Sequence, residues 1–399
     1  MSPGLISLNP DLKQLRDEGY EVSTEKDNGY LLVSHVPYVN SRKQVAFGTL
    51  ISDLNLSGDK TNRPNDHVAK WAGEYPCDSN GSQLQTLVCQ PINEKIRDGL
   101  IATFSFSQKP PEGYPDYYQK MTAYIRILEG YAHAIDPSVT SRTFVPVGED
   151  DKDSIFCYLD TATSRAGISA MNDKLKKGKI AIIGLGGTGA YVLDLLAKTP
   201  IEEIHLFDGD DFLQHNAFRS PGAPSIEDLT KKQKKVERFS EIYSRMRKNI
   251  FPHAQFIDEK NVDELKQMEF VFLCMEGESK KNIVDYLIGN NISFIDVGIG
   301  LCSEDNSLGG MARVTTCTPA FHNHSATRIT FGEDEVNEYS QNIQIADINA
   351  LNAALAVIKW KKLRGFYTDL GHEHNTTYGI DTNTITNDEM DNENKADQT

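Results

Sequence analysis

Lys179-Ile-Ala-Ile-Ile-Gly184-Leu-Gly186-Gly187-Thr-Gly189, followed by Leu206-Phe207-Asp208-Gly209-Asp210 and Asn216-Ala-Phe-Arg219, decides the fold of the larger part of this 399-residue chain. The run Ile180 to Ile183 is short, apolar and β-branched, as in a strand buried on both faces of a parallel sheet. Gly184, Gly186, Gly187 and Gly189 allow a sharp turn and a close backbone approach to a phosphate, which the first N–H groups of the next helix would face. Asp208 stands about 20 residues on, at the end of a second strand, where a carboxylate can accept hydrogen bonds from a ribose. The pattern predicts a nucleotide-binding βαβ unit.

A glycine turn and a strand-end acid fit a dinucleotide-dependent oxidoreductase equally well. The polar block just beyond the second strand has no place in that chemistry. Asp210, Asn216, Arg219 and the lysines at 231, 232, 234 and 235 suit a triphosphate, which rewards several donors and positive charges. Asp210 could join a magnesium site, because magnesium takes one or two carboxylates plus phosphate oxygens. Plainer readings exist for the parts: a solvated face for the lysines, and a cap or turn former for Asn216.

Taken together, Gly184-x-Gly186-Gly187-x-Gly189, Asp208-x-Asp210, Asn216-x-x-Arg219 and a downstream lysine resemble the ThiF/MoeB and ubiquitin-activating enzyme superfamily over roughly residues 165–360. The resemblance implies a doubly wound, mostly parallel Rossmann-like α/β sheet of the ThiF/ubiquitin-activating type. It also implies ATP- and magnesium-dependent adenylation of the C-terminal glycine of a ubiquitin-like protein. Gly184, Gly186, Gly187 and Gly189 would form the nucleotide loop, Asp208 would hold the ribose, and Asn216 and Arg219 would contact the phosphates. The phosphate-binding lysine falls on Lys232 by distance from Arg219 and on Lys235 by its Lys-Val-Glu context, which we prefer. The metal-binding position, after the strand Phe270 to Met275, holds Glu276 where the family has aspartate. The family's arginine finger has no counterpart at matching spacing, Arg165 being nearest, and its paired C-x-x-C zinc clips are absent. Transfer of the acyl group to a thiol would use Cys317, whose Cys-Thr-Pro context resembles that of ubiquitin-activating enzymes, or Cys302, or neither, the plain reading being a buried, inert cysteine.

Hydrophobic residues make up 39% and charged residues 25%, ordinary for a soluble globular chain. No apolar run reaches the ~20 residues that span a bilayer, and the expectation is a cytoplasmic protein with no membrane partner. Six unclustered cysteines fit a reducing compartment. A net charge of −16 argues against nucleic acid as the main partner. Two domains and a tail are expected: an α+β accessory domain over 1–150, a linker and leading helix over 151–178, the adenylation domain over 179–370, and a polar, acidic, disordered tail over 371–399.

Within the first domain, Gly29 to Pro37, Gln44 to Ile51 and Leu100 to Phe106 read as strands and Tyr117 to Ala132 as a helix. In the second, strands are expected at Glu203–Asp208, Gln255–Ile257, Phe270–Met275, Ile292–Val297 and Met311–Cys317. A long helix is expected from about Thr230 to Lys248. A closing helix over Ile345 to Leu363 would carry Ile348, Leu351, Leu355, Ile358 and Trp360 on its apolar face, for core packing or a dimer seam. His322/His324 and His372/His374 form two His-x-His pairs in separate contexts without a shared carboxylate. Similar ThiF-like proteins accompany ubiquitin-like, conjugating-enzyme-like and peptidase partners in bacterial conjugation systems, some linked to phage defence, and a homodimer is expected for this chain. Three alternatives stay open: adenylation feeding sulfur transfer for cofactor synthesis, an NAD-dependent oxidoreductase, and an ATP-binding pseudoenzyme scaffold.

Overall fold

The computed structural model describes residues 3–25, 29–146, 154–277, 279–331 and 343–390. The chain divides into two compact units, one of residues 1–154 and 158–165, the other of residues 155–157 and 166–399.

In the first unit, helices α1 (Pro3–Leu8) and α2 (Pro10–Asp17) precede strands β1 (Glu21–Glu25), β2 (Tyr30–Val39), β3 (Val45–Asp53), β4 (Leu56–Ser57), β5 (Lys60–Thr61), β6 (Val68–Ala72), β7 (Val88–Arg97) and β8 (Leu100–Ser107). Helix α3 (Tyr117–His133) follows, capped by the Asp116 carboxylate accepting from Gln119 N–H. The main sheet runs β1-β2-β3-β6-β8-β7, antiparallel throughout. Trp71, Phe106, Tyr117, Met121 and Tyr124 form its buried core against α3. Helix α4 (Thr161–Ala166) ends this unit. The single leading helix expected over 165–177 is instead three short pieces: α4, α5 (Ser169–Asn172) and a 3-10 turn at Asp173–Leu175. Gly167 breaks the run by adopting φ +70, a left-handed value open to glycine without penalty.

The second unit is a doubly wound sheet. Its elements are β9 (Lys179–Ile183), α6 (Gly187–Ala197), β10 (Glu203–Phe207), α7 (Gln214–Ala217), α8 (Ile226–Thr230), α9 (Lys235–Tyr243), β11 (Ile250–His253), β12 (Phe270–Leu273), α10 (Ser279–Gly289), β13 (Ser293–Glu304), β14 (Ser307–Cys317), α11 (Ser325–Arg328), α12 (Ala346–Leu363), β15 (Glu373–Gly379) and β16 (Thr384–Met390). Strand order is β11-β10-β9-β12-β13-β14-β15-β16. The first five are parallel and the last three add antiparallel. Chain direction across the sheet reverses between β9 and β12, so the carboxyl ends of these strands open a crevice where ligands of such sheets bind. Ile180, Ile182, Leu206 and Phe272 bury one sheet face under α6, α9 and α12; Ala181, Ile183, Val271 and Phe294 bury the other under α10.

Several expectations are corrected here. The strand expected at Gln255–Ile257 lies earlier, at Ile250–His253, because Pro252 is tolerated on the outermost strand, and residues 255–257 form the turn beyond it. The helix expected over 230–248 is broken at 231–234. Lys232 there takes φ +46, while Phe212 N–H donates to the Gln233 carbonyl at 2.8 Å and Lys235 N–H to the Asp210 carbonyl at 3.0 Å. The disordered tail expected from 371 is ordered as far as Met390, as β15 and β16. Its strands lack apolar alternation because β15 buries polar residues, Asn375 accepting from Thr315 Oγ at 2.8 Å. The remainder of that expected tail, 391–399, lies outside the described residues. Finally, α12 buries Asn349, Asn352, Ala353, Ala356 and Val357 beside Ile348 and Trp360, whereas Ile358 is exposed. Small and polar residues replace the expected aliphatic stripe because this helix lies close against α6 and the glycine turn.

Candidate functional site

The site is built on the turn after β9. Gly184 takes φ +89, and a Cβ there would stand 2.6 Å from the Cys274 carbonyl oxygen at the end of β12. Gly187 and Gly189 are also pressed, a Cβ meeting Asn349 at 2.0 Å and the Gly184 carbonyl at 1.9 Å respectively. Among the described residues, a Cβ at Gly186 would find only Gln344 Oε1, at 3.8 Å. Three of the glycines are therefore required by packing, whereas Gly186 has room for a Cβ.

Asp208 follows β10 and is 5% exposed. One of its carboxylate oxygens accepts from Leu185 N–H at 2.7 Å and the other from Asp210 N–H at 2.9 Å, so the acid clamps the glycine turn to its own loop. Lys235 Nζ enters from the start of α9, 3.3–3.4 Å from the Asp208 oxygens and 2.6 Å from Asp210 Oδ2. The break at 231–234 sets this reach, since the Asp210–Lys235 backbone bond fixes where α9 begins. Lys232 is exposed, so the structure brings Lys235 to the site and not Lys232. A cleft of about 250 Å³ lies above, lined by Gly184, Gly186, Asp208, Asp210, Lys235, Phe256, Ile257, Met275 and Glu276 among others. Phe256 is 63% exposed, with its ring over Gly209, and is a flat apolar wall the sequence reading missed because it fell in a misplaced strand.

Asn216 and Arg219 flank this region. The Asn216 amide oxygen holds the local turn, accepting from Leu213 N–H at 2.8 Å, as the plainer reading proposed. Its Nδ2 and the Nε of Arg219 are buried with no hydrogen-bond partner among the described residues. Orphaned buried donors cost about 1–3 kcal/mol each. Asn349 of α12 joins the parts: Oδ1 accepts from Thr188 Oγ at 2.9 Å and Nδ2 donates to the Arg219 carbonyl at 3.4 Å. No motif marks this asparagine in the sequence.

Below Gly298, Asp296 is fully buried between Lys280, 2.5 Å away, and Arg313, 2.7 Å away. The Arg313 guanidinium lies over Gly298, which lines a second pocket with Gly186, Gly187, Thr188, Glu276 and Gln344. These ionic residues also went unread in the sequence, each being isolated there.

Cys317 is corrected. It pairs with Phe294 at the amino end of β13, whereas the cleft lies at the level of Gly298, and a rise of about 3.3 Å per residue separates those levels by about 13 Å. Its thiol is 1% exposed, and burial pushes it up to about 12. The thiol packs in the core with its Sγ 3.9 Å from His324 Nε2, a position and a burial that do not favour the nucleophile role implied by the resemblance. Native Cys317 is therefore expected to resist iodoacetamide, with exposed Cys89 and Cys157 alkylated first; peptide mapping by mass spectrometry reads this directly. Cys274 is also held neutral by burial. Cys302 is half-buried on the β13–β14 hairpin, above the Gly298 level.

One histidine of each His-x-His pair does meet the other. His324 and His374 both bond the Thr316 carbonyl at 3.0 Å, with ring centroids 5.8 Å apart. No group of three metal-ligating side chains forms among the described residues. In the first unit, Cys77 is buried and its thiol raised by that burial. Arg165, the nearest arginine-finger candidate, belongs to the first unit, at the end of α4. No helix among the described residues is long and apolar enough to cross a membrane.

The model of the ThiF family matches residues 161–398, more than half of the chain. The chain belongs to the ThiF family. Residues 10–161 match a second model, described as a domain of unknown function, DUF6791. Among curated relatives, the tRNA threonylcarbamoyladenosine dehydratase of Haemophilus influenzae is 27% identical over 129 residues, covering 31% of this ThiF-family chain. The chain spans about half, 49%, of that relative's length. Among solved structures, E. coli MccB with ATP is 21% identical, with a TM-score of 0.43, covering 55% of this chain and 66% of that one. E. coli MccB with AMPCPP and MccA is 21% identical, with a TM-score of 0.46, covering 58% and 71%.

Proposed function

We propose that the second unit adenylates the C-terminal carboxylate of a ubiquitin-like protein ending in glycine, using ATP and magnesium. The observation that carries this is Lys235, a cation buried beside the ribose-binding acid in the cleft, a charge that hydride transfer would not need. In the reaction, a carboxylate oxygen bonds to the α-phosphorus while the bond to the bridging oxygen breaks, and pyrophosphate leaves with that electron pair. The protein has mainly to align the reactants and to neutralise the leaving group. Asp208 would hold the ribose hydroxyls, Phe256 and Ile257 would face the base, and Gly186 would admit the phosphates. Lys235, Arg219 and Asn216 Nδ2 would receive their charge. Magnesium, held by Glu276 or Asp210 on the cleft wall, would supply further charge neutralisation at the phosphates.

The acyl group would then pass to a thiol other than Cys317, on Cys302 or on a conjugating partner, and the first unit would recruit the modifier or that partner. The test is ATP–pyrophosphate exchange with candidate ubiquitin-like proteins ending in glycine, followed by non-reducing gels. Modifier-dependent exchange is the expected result, and a thiol-sensitive band that survives Cys317→Ala is expected for the second step. ATP binding without exchange for any modifier would favour the scaffold reading, which Glu276 at the metal position encourages. Glu276→Gln is expected to lower exchange by about 10²-fold while leaving binding of metal-free ATP nearly unchanged, a difference that calorimetry and exchange rates together resolve.

A further inference from the structure

On the outer strands, β10 and β11 set two histidines side by side. His205 Nδ1 and His253 Nε2 are 3.1 Å apart. The distal nitrogen of each ring faces a carboxylate, His205 Nε2 at 3.0 Å from Glu203 Oε2 and His253 Nδ1 at 3.9 Å from Glu264 Oε2. With Glu203 accepting a hydrogen bond from His205 Nε2, a neutral His205 would present its lone pair at Nδ1. Without a metal the two facing nitrogens are hydrogen-bonded to each other, and a cation would take the place of the proton they share. Two nitrogens each about 2.0–2.1 Å from one metal ion lie about 2.9 Å apart at a right angle and about 3.3 Å apart at the tetrahedral angle. The observed spacing falls between these. A carboxylate on the far nitrogen of each imidazole is also the arrangement that orients metal-ligating histidines.

We infer that His205 and His253 bind a divalent transition ion of the imidazole-preferring class, such as Zn²⁺ or Ni²⁺, bridging β10 and β11. Water completes the coordination, since no third ligating side chain joins the pair among the described residues. The site is reachable, the side chains of His205 and His253 being 14% and 29% exposed. Magnesium, which prefers oxygen ligands, would not compete. His253 stacks on Phe207 of the cleft wall, with ring centroids 4.3 Å apart, and the test of the site does not depend on activity.

Isothermal titration of the full chain with ZnCl₂ and NiCl₂ is expected to show a saturable site absent with MgCl₂. Affinity for Zn²⁺ should fall at least ten-fold in His205→Gln and in His253→Gln. X-ray absorption of the zinc-loaded unsubstituted protein covers variants that fail to fold, and two imidazole nitrogens with oxygen and no sulfur are expected. Undiminished zinc affinity in folded variants, sulfur ligation, or no saturable binding at all would overturn the assignment.

Discussion

Lys235→Ala is expected to abolish most adenylation and to weaken the fold at once. Asp208, 5% exposed, would keep its two backbone donors but lose the cation beside it. Removing one partner of a buried ion pair costs about 3 kcal/mol or more, because the other charge stays buried and uncompensated. In a unit of this size that lowers Tm by roughly 6–10 °C. The exchange rate should fall by about 10²–10³-fold, the scale of losing one positioned charge at a leaving group. Lys232→Ala, on the exposed turn, should change neither quantity by a measurable amount. Equal losses in the two variants would return the phosphate role to the lysine cluster as a whole.

The second large effect separates glycines that the sequence presents as equivalent. Gly189→Ala would place a methyl 1.9 Å from the Gly184 carbonyl and 3.0 Å from Cys274 Cβ. Backbone cannot yield as a side-chain end can, so destabilisation of about 3 kcal/mol or more is expected. Gly186→Ala meets nothing closer than 3.8 Å and should leave stability within about 0.5 kcal/mol. Its methyl would nonetheless stand in the approach to the turn, and ATP affinity should fall at least ten-fold. Thermal melts with nucleotide titrations distinguish the two. A Gly186→Ala protein that binds ATP normally would show that phosphates do not approach this turn.

The nucleotide-binding half was legible in the sequence wherever chemistry and spacing coincide along the chain. The β-branched run at 180–183, the glycines and Asp208 each occupy positions that only one backbone geometry explains. Legibility failed where partners are remote. Asn349 stands 161 residues from Thr188, to which it is hydrogen-bonded, and nothing near it in sequence signals that contact. Cys317 looked suitable from its neighbours, but its place is set by pairing with Phe294, a register that local context does not encode. The strands at 373–390 were hidden for a related reason: their partners are polar, so burial there leaves no apolar alternation to detect.

The chain's passage between units is also informative. Residues 155–157 pair with the second unit, Cys157 N–H donating to the Met246 carbonyl at 2.8 Å and Lys248 N–H to that of Ile155 at 2.6 Å. The chain then returns to the first unit, where Ser164 donates to the Asp17 carboxylate at 2.8 Å, before re-entering the second for good. No single cut therefore yields two complete pieces. A fragment ending at 154 lacks the segment that closes its own first helices, and one starting at 166 lacks a strand-like edge. Recombination or truncation that treats the halves as beads on a string would damage one of them wherever the break falls, so exchanging either part intact requires interleaved segments of gene.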